Sequence, residues 1–159
     1  MRPEFFKQLY QLMKDNPNVW ALTGDLGYGG FDKIKEEFPD RFINCGASEF
    51  SMVGIAAGLA LEGKIVFTYT ITSFYLRAME MISTYIDHES IPVIMVGSGR
   101  EQEYEHDGYS HNAHIVSTFM KHLPAIQEYY PEAIDEVLPT MEEIIADKMP
   151  AFLSLSKKI

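Results

Sequence analysis

Cysteine, positive charge and long apolar runs are scarce in this 159-residue sequence, and each scarcity excludes a class of protein. Cys45 is the only cysteine, which excludes an internal disulfide and a closed zinc site. Thirteen Lys and Arg residues face 23 Asp and Glu residues, and the net charge of -10 opposes nucleic-acid binding, which needs a basic surface. No stretch reaches the ~18 apolar residues of a membrane helix, and the N-terminal segment lacks the apolar region of a signal peptide. The sequence therefore predicts a cytoplasmic protein that binds neither nucleic acid nor membrane.

Apolar residues are abundant enough for a core, since hydrophobic residues make up 47% of the chain and charged residues 23%. A length of 159 residues is typical of one compact domain, so we expect a single domain over residues 1–159.

Short apolar runs alternate with helix-like segments along most of the chain. After an opening helix, the predicted strands are VWALTG, RFINCG, KIVFTYTI, IPVIMVGSG, AIQEYY and AFLSLS, and the predicted helices between them cover 31–38, 48–61, 73–88, 115–123 and a segment from Pro131. Most of these strands lack period-2 alternation, which indicates a mostly parallel sheet covered on both faces, a three-layer αβα fold. Ligands of such sheets bind beyond the carboxyl ends of the strands. We therefore expect the glycine-rich loop GDLGYGG, Glu49 and the loop over 98–114 to meet at that edge.

Glu49 begins a segment, EFSMVGIAAGLALEG, in which almost all of the residues after it are apolar or small. With Ser48 as N-cap, an acid in the first turn is commonly there to complement the helix dipole. The small residues that follow, Gly54 and Ala56 among them, allow close packing, so this helix end is expected to be covered. A covered carboxylate can share a proton with a ligand nitrogen. The residues alone leave both interpretations open.

The polar stretch GREQEYEHDGYSHNAH also allows several interpretations. Its His106, Asp107, His111 and His114 could bind zinc or iron, as in a metal-dependent hydrolase, although their spacing matches no recognised ligand pattern. A solvated loop with incidental histidines is the simplest alternative. The third is substrate binding, in which His and Asp bind hydroxyl groups and Arg100 binds a phosphate.

Two further stretches give weaker signals. TSFYLRAMEM places Phe74 in the first turn of a helix capped by Thr72 or Ser73, either as a core residue or as a stacking platform for a heteroaromatic ring. GDLGYGG fits neither the dinucleotide-binding glycine pattern nor the phosphate-binding P-loop.

Taken in order, these stretches resemble the pyrimidine-binding domain of transketolase and of deoxyxylulose-phosphate synthase, enzymes that use thiamine diphosphate. The resemblance covers about Val19 to Ser156. RFINCGASEFSMVGIAAGLAL and TSFYLRA carry most of it. The resemblance implies that Glu49 binds and activates the cofactor aminopyrimidine, that Phe74 stacks on that ring, and that Arg77 belongs to the site.

Three other segments extend the resemblance. TGDL implies that Asp25 and Leu26 lie near the cofactor. HDGYSHN is similar to the family's Asp-Gly-x-Thr-His-Gln, which implies that Asp107 and a catalytic His111 face substrate hydroxyls. Arg100 falls where the synthase has a phosphate-contacting arginine. The chain departs from transketolase at Phe50, where that enzyme has a histidine after the glutamate.

The family holds its diphosphate through Mg²⁺ bound by a Gly-Asp-Gly motif and a downstream Asn, and GDL at 24–26 lacks this pattern. The resemblance therefore implies one subunit of a split enzyme, whose separate partner chain carries the diphosphate domain and Mg²⁺. It further implies ketol transfer between sugars or sugar phosphates and a homodimeric core, with a heterotetramer as one assembly. A thiamine diphosphate-dependent acyloin synthase or decarboxylase subunit, a metal hydrolase and a non-catalytic scaffold stay open as alternatives.

Overall fold

The computed structural model describes residues 1–157, and a six-stranded parallel sheet forms its centre. The strands are β1 Val19–Thr23, β2 Phe42–Asn44, β3 Ile65–Ile71, β4 Val93–Ser98, β5 Gln127–Tyr129 and β6 Ala151–Leu155. They lie in the order β2-β1-β3-β4-β6-β5, and each neighbouring pair is parallel. The predicted αβα architecture is confirmed.

Helices cover both faces of the sheet. They are α1 Arg2–Asp15, α2 Asp32–Glu37, α3 Glu49–Leu61, α4 Met79–Met81, α5 His114–Met120 and α6 Val137–Asp147. Successive residues of β4 point to opposite faces: Met95 packs with α3 in one core cluster, whereas Ile94 packs with α1 and α6 in the other. Both faces of the strands are thus buried, which explains why the strands lack polar alternation. No helix within residues 1–157 is long and apolar enough to cross a bilayer.

The segment predicted as one helix over 73–88 has three helical forms in succession. A 3-10 helix spans Thr72–Ala78, α4 follows it, and a π-helix spans Ile82–Asp87. Thr72 and Ser73 do not cap this segment, because their hydroxyls donate hydrogen bonds to the carbonyls of Gly99 at 2.6 Å and Ser110 at 2.8 Å. The start of the segment is thereby fastened to the loop that follows β4.

Gly97 in β4 makes that attachment possible. A Cβ at this position would lie 2.4 Å from Thr72 Oγ1 and 2.8 Å from Phe152 Cζ, closer than real Cβ contacts. The missing side chain lets the 72–78 turn and β6 approach the same point of the sheet.

The last helix begins at Val137, whereas the sequence pattern predicts a start at Pro131. A 3-10 turn covers Ile134–Glu136, and α6 follows at Val137. The Glu136 carboxylate accepts hydrogen bonds from the backbone N–H groups of Glu132 at 2.7 Å and Ala133 at 3.3 Å. Glu136 thus reaches back to the N-cap residue Ala133 and to Glu132, as the third residue does in a capping box, and this contact fixes the chain before the turn begins.

Candidate active site

Glu49 is the most completely buried carboxylate of the sheet's carboxyl edge, with a relative exposure of 1%. It opens α3 shortly after β2, and its Oε1 accepts a hydrogen bond from Thr70 Oγ1 at 3.2 Å. Arg77 Nη1 donates to both carboxylate oxygens, at 3.0 and 2.9 Å. Ser48 occupies the N-cap position but makes no capping hydrogen bond, and its hydroxyl bonds Ser51 instead. Glu49 is therefore more than a solvated complement to the helix dipole.

Three elements enclose this carboxylate. A Cβ on Gly24, just after β1, would lie 3.2 Å from Glu49 Oε1 and 3.3 Å from Thr70 Oγ1. The backbone after β1 thus runs against the carboxylate, and β3 contributes Thr70, which is fully buried. Arg77 differs from these contacts because its side chain is 49% exposed. Of the three contacts, Arg77 is therefore the one that reaches from the carboxylate to solvent.

Arg77 connects Glu49 to two aromatic rings. Its guanidinium carbon lies 4.0 Å from the centroid of the Phe74 ring, a cation–π contact. Phe74 in turn meets the His111 imidazole edge to face, with centroids 5.0 Å apart. The structure therefore brings together four of the residues that the sequence assigns to the site, in a continuous row of carboxylate, guanidinium, phenyl ring and imidazole.

Asp25 and Leu26 follow Gly24 in the loop after β1. Asp25 has a left-handed backbone, with φ of 61°, and its carboxylate accepts a hydrogen bond from Asn44 Nδ2 at 3.0 Å. The Leu26 N–H and carbonyl both bond Thr23 Oγ1, at 3.2 and 2.9 Å. The loop that carries both residues is thus fixed beside the carboxylate.

Arg100 points into the protein. Its Nη2 donates to the carbonyl oxygens of Pro131 at 2.5 Å and Ser154 at 2.7 Å, and burial lowers the pKa of Arg100. In this arrangement the guanidinium binds backbone oxygens, so a phosphate would have to compete with them. Asp107 is exposed, with its carboxylate 3.2 Å from His106 Nε2.

The metal interpretation of the histidine loop gains no support. Within residues 1–157, no three His, Cys, Asp or Glu side chains converge closely enough to hold a metal ion. His111 instead contacts Phe74 and accepts or donates a hydrogen bond with Ser110 Oγ at 3.1 Å. Cys45 also shows no sign of a reactive thiol, since burial raises the pKa of its thiol and so disfavours the reactive thiolate.

Sequence reasoning missed Thr70 and the part played by Gly24. The signal for Thr70 was present, because Thr68 and Thr70 are hydroxyl residues within the apolar run of β3. Thr68 serves the core, where its Oγ1 lies 2.9 Å from the Tyr75 hydroxyl, whereas Thr70 reaches Glu49. Only the parallel register of β1 and β3, which places Thr70 just beyond the Thr23–Tyr69 pair, brings Thr70 beside Gly24.

The sequence profile described as transketolase, pyrimidine binding domain, matches residues 2–159. The chain belongs to this family. Its membership implies the use of thiamine diphosphate.

Two relatives and one solved structure align with almost all of this chain. The 6-deoxy-6-sulfo-D-fructose transketolase subunit SqwH of Clostridium sp. strain MSTE9 is 26% identical over 99% of this chain and 50% of its own length. A putative transketolase C-terminal section of Methanocaldococcus jannaschii is 29% identical over 99% of this chain and 51% of its own. The structure titled split gene transketolase, inactive beta4 tetramer, superimposes with a TM-score of 0.84 at 27% identity, covering 98% of this chain and 51% of that one. The chain thus spans about half the length of these proteins.

Proposed function

We propose that this protein is the pyrimidine-domain subunit of a two-component, thiamine diphosphate-dependent transketolase-like enzyme that transfers a ketol unit between sugars. The observation that carries the proposal is the buried Glu49 carboxylate, which is 1% exposed, lies at the carboxyl edge of the sheet and is joined to Phe74 through Arg77. Membership of the transketolase family gives that carboxylate its chemical context.

The residues at this edge fit the aminopyrimidine part of the cofactor. The ring needs a carboxylate partner for its N1′ nitrogen and an aromatic face on which to stack, and Glu49 and Phe74 are linked through the same guanidinium, at 2.9 Å and 4.0 Å. When bound, thiamine diphosphate supplies a carbon nucleophile and accepts electrons as the substrate C–C bond breaks.

In this proposal Glu49 holds a proton at the N1′ nitrogen of the ring. A carboxylate in a dry site strengthens such a hydrogen bond, because the local dielectric constant is low. Burial and the rigid start of α3 fix the position of Glu49, and Thr70 orients its Oε1 from β3. Asp25 and Leu26 line the cofactor from the loop after β1.

Substrate contacts are assigned to the loops after β4. His111 is 5.0 Å from Phe74, so it is available to a substrate that reacts beside the stacked ring, and it exchanges a proton with a substrate hydroxyl. Asp107 binds another hydroxyl. Arg100 binds the anionic end of the sugar after its bonds to the Pro131 and Ser154 carbonyls are exchanged for the ligand.

The other half of the enzyme is proposed to be a separate chain with the diphosphate domain and its Mg²⁺. The chain spans about half the length of relatives named as a transketolase subunit and a transketolase section, which supports this division. Two copies of the pyrimidine domain form the core of the assembly, and one partner chain on each copy gives a heterotetramer.

The test begins with native mass spectrometry of the chain isolated from its own cells, with co-purifying proteins identified. Ketol transfer by the complete complex is then assayed with ketose phosphates and with a 6-sulfo ketose, the sugar type in the name of the clostridial relative. Glu49→Gln preserves the shape of the side chain but weakens proton sharing, so turnover should fall at least about a hundredfold.

Glu62→Gln is the matched control, because Glu62 is an exposed glutamate at the opposite end of α3. It should leave turnover unchanged. Normal turnover in the Glu49→Gln complex would reject the role of Glu49. A chain that carries no catalytic partner, with zinc or iron bound instead, would reject the split-enzyme proposal.

A further inference from the structure

Arg77 makes the two contacts by which a planar nitrogen heterocycle is recognised. Its Nη1 donates to both oxygens of Glu49, at 3.0 and 2.9 Å, and its guanidinium lies over the Phe74 ring at 4.0 Å. A guanidinium is planar, delocalised and rich in N–H donors, and it stacks on aromatic faces. A protonated aminopyrimidine edge shares all of these properties.

The geometry of the Glu49–Arg77 pair also allows a ligand to replace the guanidinium. Both hydrogen bonds come from one nitrogen, whereas a strong arginine–carboxylate pair uses two nitrogens in parallel. The Arg77 side chain is 49% exposed and that of Glu49 is 0% exposed, so only the arginine can move into solvent. Within residues 1–157, Nε and Nη2 of Arg77 donate no hydrogen bond, so the guanidinium is held only by the two bonds from Nη1 and by the Phe74 ring.

We propose that Arg77 is a displaceable occupant of the ring-binding position, which keeps Glu49 paired until the aminopyrimidine replaces the guanidinium. The inference rests on the proposed function, because it takes Glu49 and Phe74 as the ring-binding pair. A buried carboxylate is less stable without a cationic partner, so the guanidinium keeps Glu49 paired in most of the molecules that hold no ring. The ring completes the same two contacts, and Arg77 moves toward solvent.

This arrangement lowers the apparent affinity of the isolated chain for the ring. The ring binds only the fraction of molecules in which the guanidinium has left, and the apparent dissociation constant rises in inverse proportion to that fraction. The sign of the mutational effect follows directly. If Arg77 only contributed a contact to the bound ring, its removal would weaken binding, whereas removal of an occupant strengthens it.

Calorimetric titration of the isolated chain tests this sign, with 4-amino-5-hydroxymethyl-2-methylpyrimidine as the probe. This compound carries the aminopyrimidine ring and lacks the diphosphate, so the partner chain is not required. Arg77→Ala should bind the probe about tenfold more tightly than the unmodified chain, in line with a competing guanidinium that is present in about nine molecules of ten. Adding Glu49→Gln to Arg77→Ala should remove the gain.

Arg41→Ala is the matched control, because Arg41 also lies over a phenylalanine, Phe38, at 4.6 Å. Its Nη1 donates to the backbone carbonyls of Asn16 and Val19 at the amino end of β1, whereas Glu49 lies at the carboxyl ends of the strands. This variant should therefore leave probe affinity unchanged. Circular dichroism verifies that each variant is folded. Should Arg77→Ala fail to fold, Arg77→Gln keeps a donor for Glu49 and should show a smaller gain in affinity.

Equal or weaker probe binding by the folded Arg77 variants would overturn the inference, as would a lack of binding by all variants at the solubility limit of the probe. Neither result touches the proposed function, which is decided by turnover of the complete Glu49→Gln complex. Loss of the function with a retained gain in probe affinity would leave Arg77 as the occupant of a ring site in a non-catalytic chain.

Discussion

The helical layers on the two faces of the sheet differ in how their main helices, α1 and α3, distribute apolar side chains between the core and solvent. In the first layer, α1 buries Phe5, Leu9 and Met13 and turns polar residues such as Lys7 and Gln11 to solvent. In the second layer, α3 buries Met52, Val53 and Ala56 but also exposes apolar side chains on its outer face: Phe50 at 45%, Ile55 at 40% and Leu61 at 71%. Of these two helices, α3, which begins at Glu49, is the one that leaves large apolar side chains exposed.

This difference suggests that one layer mainly stabilises the fold and that the other mainly serves activity and assembly. A helix with one apolar face needs only the sheet, whereas a helix that is apolar on both sides is suited to burial between two surfaces. In the proposed enzyme, the partner chains cover α3 and complete the site at its N-terminus. Changes in the α1 and α6 layer should therefore affect folding, and changes in the α3 layer should affect activity and assembly.

The largest expected effect is on the α1 side. Phe5 is fully buried against Phe67 and Tyr69, with ring centroids 6.2 and 5.8 Å away. Phe5→Ala should lower the free energy of unfolding by about 3–5 kcal/mol, because it leaves a cavity that the rigid sheet cannot fill. Urea denaturation followed by circular dichroism measures the loss. Gln11→Ala, on the exposed face of the same helix, should stay within about 0.5 kcal/mol of the parent.

A change at Thr70 should affect turnover more than folding. Thr70→Val keeps the side-chain shape but removes the hydroxyl that donates to Glu49 at 3.2 Å. A Glu49 carboxylate that Thr70 no longer orients should share its proton less efficiently, so turnover of the complete complex should fall about tenfold, part of the ~10²–10⁴-fold that a positioned acid or base contributes. Steady-state kinetics with saturating cofactor measure it.

Thr140→Val provides the comparison in the other layer, because the hydroxyl of Thr140 in α6 donates to the carbonyl of Glu136, the residue before that helix, at 2.7 Å. Turnover in this variant should match the parent. An equal loss of turnover in the two variants would show that the layers do not divide the roles as described.

A smaller effect, dependent on pH, is expected at Glu103. Burial acts to raise the pKa of Glu103, but hydrogen bonds from the Ser156 hydroxyl and from the backbone N–H groups of Lys157 and Arg100 outweigh it, so the pKa of Glu103 is lowered. A lowered folded-state pKa stabilises the protein above the unfolded value of about 4.3, and this contribution is lost as the pH falls through the folded value.

Glu103→Gln should therefore lower the free energy of unfolding by about 1 kcal/mol at pH 7, a modest figure because Glu103 is partly solvated. The difference from the parent should shrink as the pH falls below the unfolded value of about 4.3, toward the lower pKa of the native carboxylate. Thermal melts from pH 3 to pH 8 would reveal it. A constant difference across that range would contradict the pH dependence.

The smallest effect on stability should come from the exposed face of α3. Leu61→Glu changes a side chain that is 71% exposed, so the unfolding free energy of the isolated chain should change by no more than about 0.5 kcal/mol. Assembly with other chains should be weakened, since a charge would be buried at the interface. Analytical ultracentrifugation, with Lys7→Glu on α1 as the control, measures this. Unchanged assembly would place the interface elsewhere.

The sequence predicted most of the fold because its signals were local. Apolar runs located the strands, and their lack of alternation indicated a sheet covered on both sides. Two predicted helix starts were wrong, one because of distant partners and the other because of a local cap. Thr72 and Ser73 bond carbonyls of the loop after β4, and Glu136 caps the chain beyond Pro131.

The site was predictable in part. Motif order assigned Glu49, Phe74, Arg77 and His111, which the fold brings together. The pairing of Glu49 with Arg77 joins positions 28 residues apart, and no spacing rule anticipates it. The orientation of Arg100 depends on carbonyls supplied by Pro131 and Ser154, so a local motif cannot reveal it either.

The edges of the sheet bear on how a chain with an uncovered helix avoids aggregation. Both edge strands, Phe42–Asn44 and Gln127–Tyr129, have three residues, so each offers few unpaired backbone groups. Short edge strands discourage the addition of a foreign strand. In the proposed assembly, association is directed to side chains on α3, which discriminate between partners by shape, and away from backbone pairing, which accepts almost any extended chain. The protein can expose apolar side chains on α3 because its edge strands expose few backbone groups to which another chain could pair.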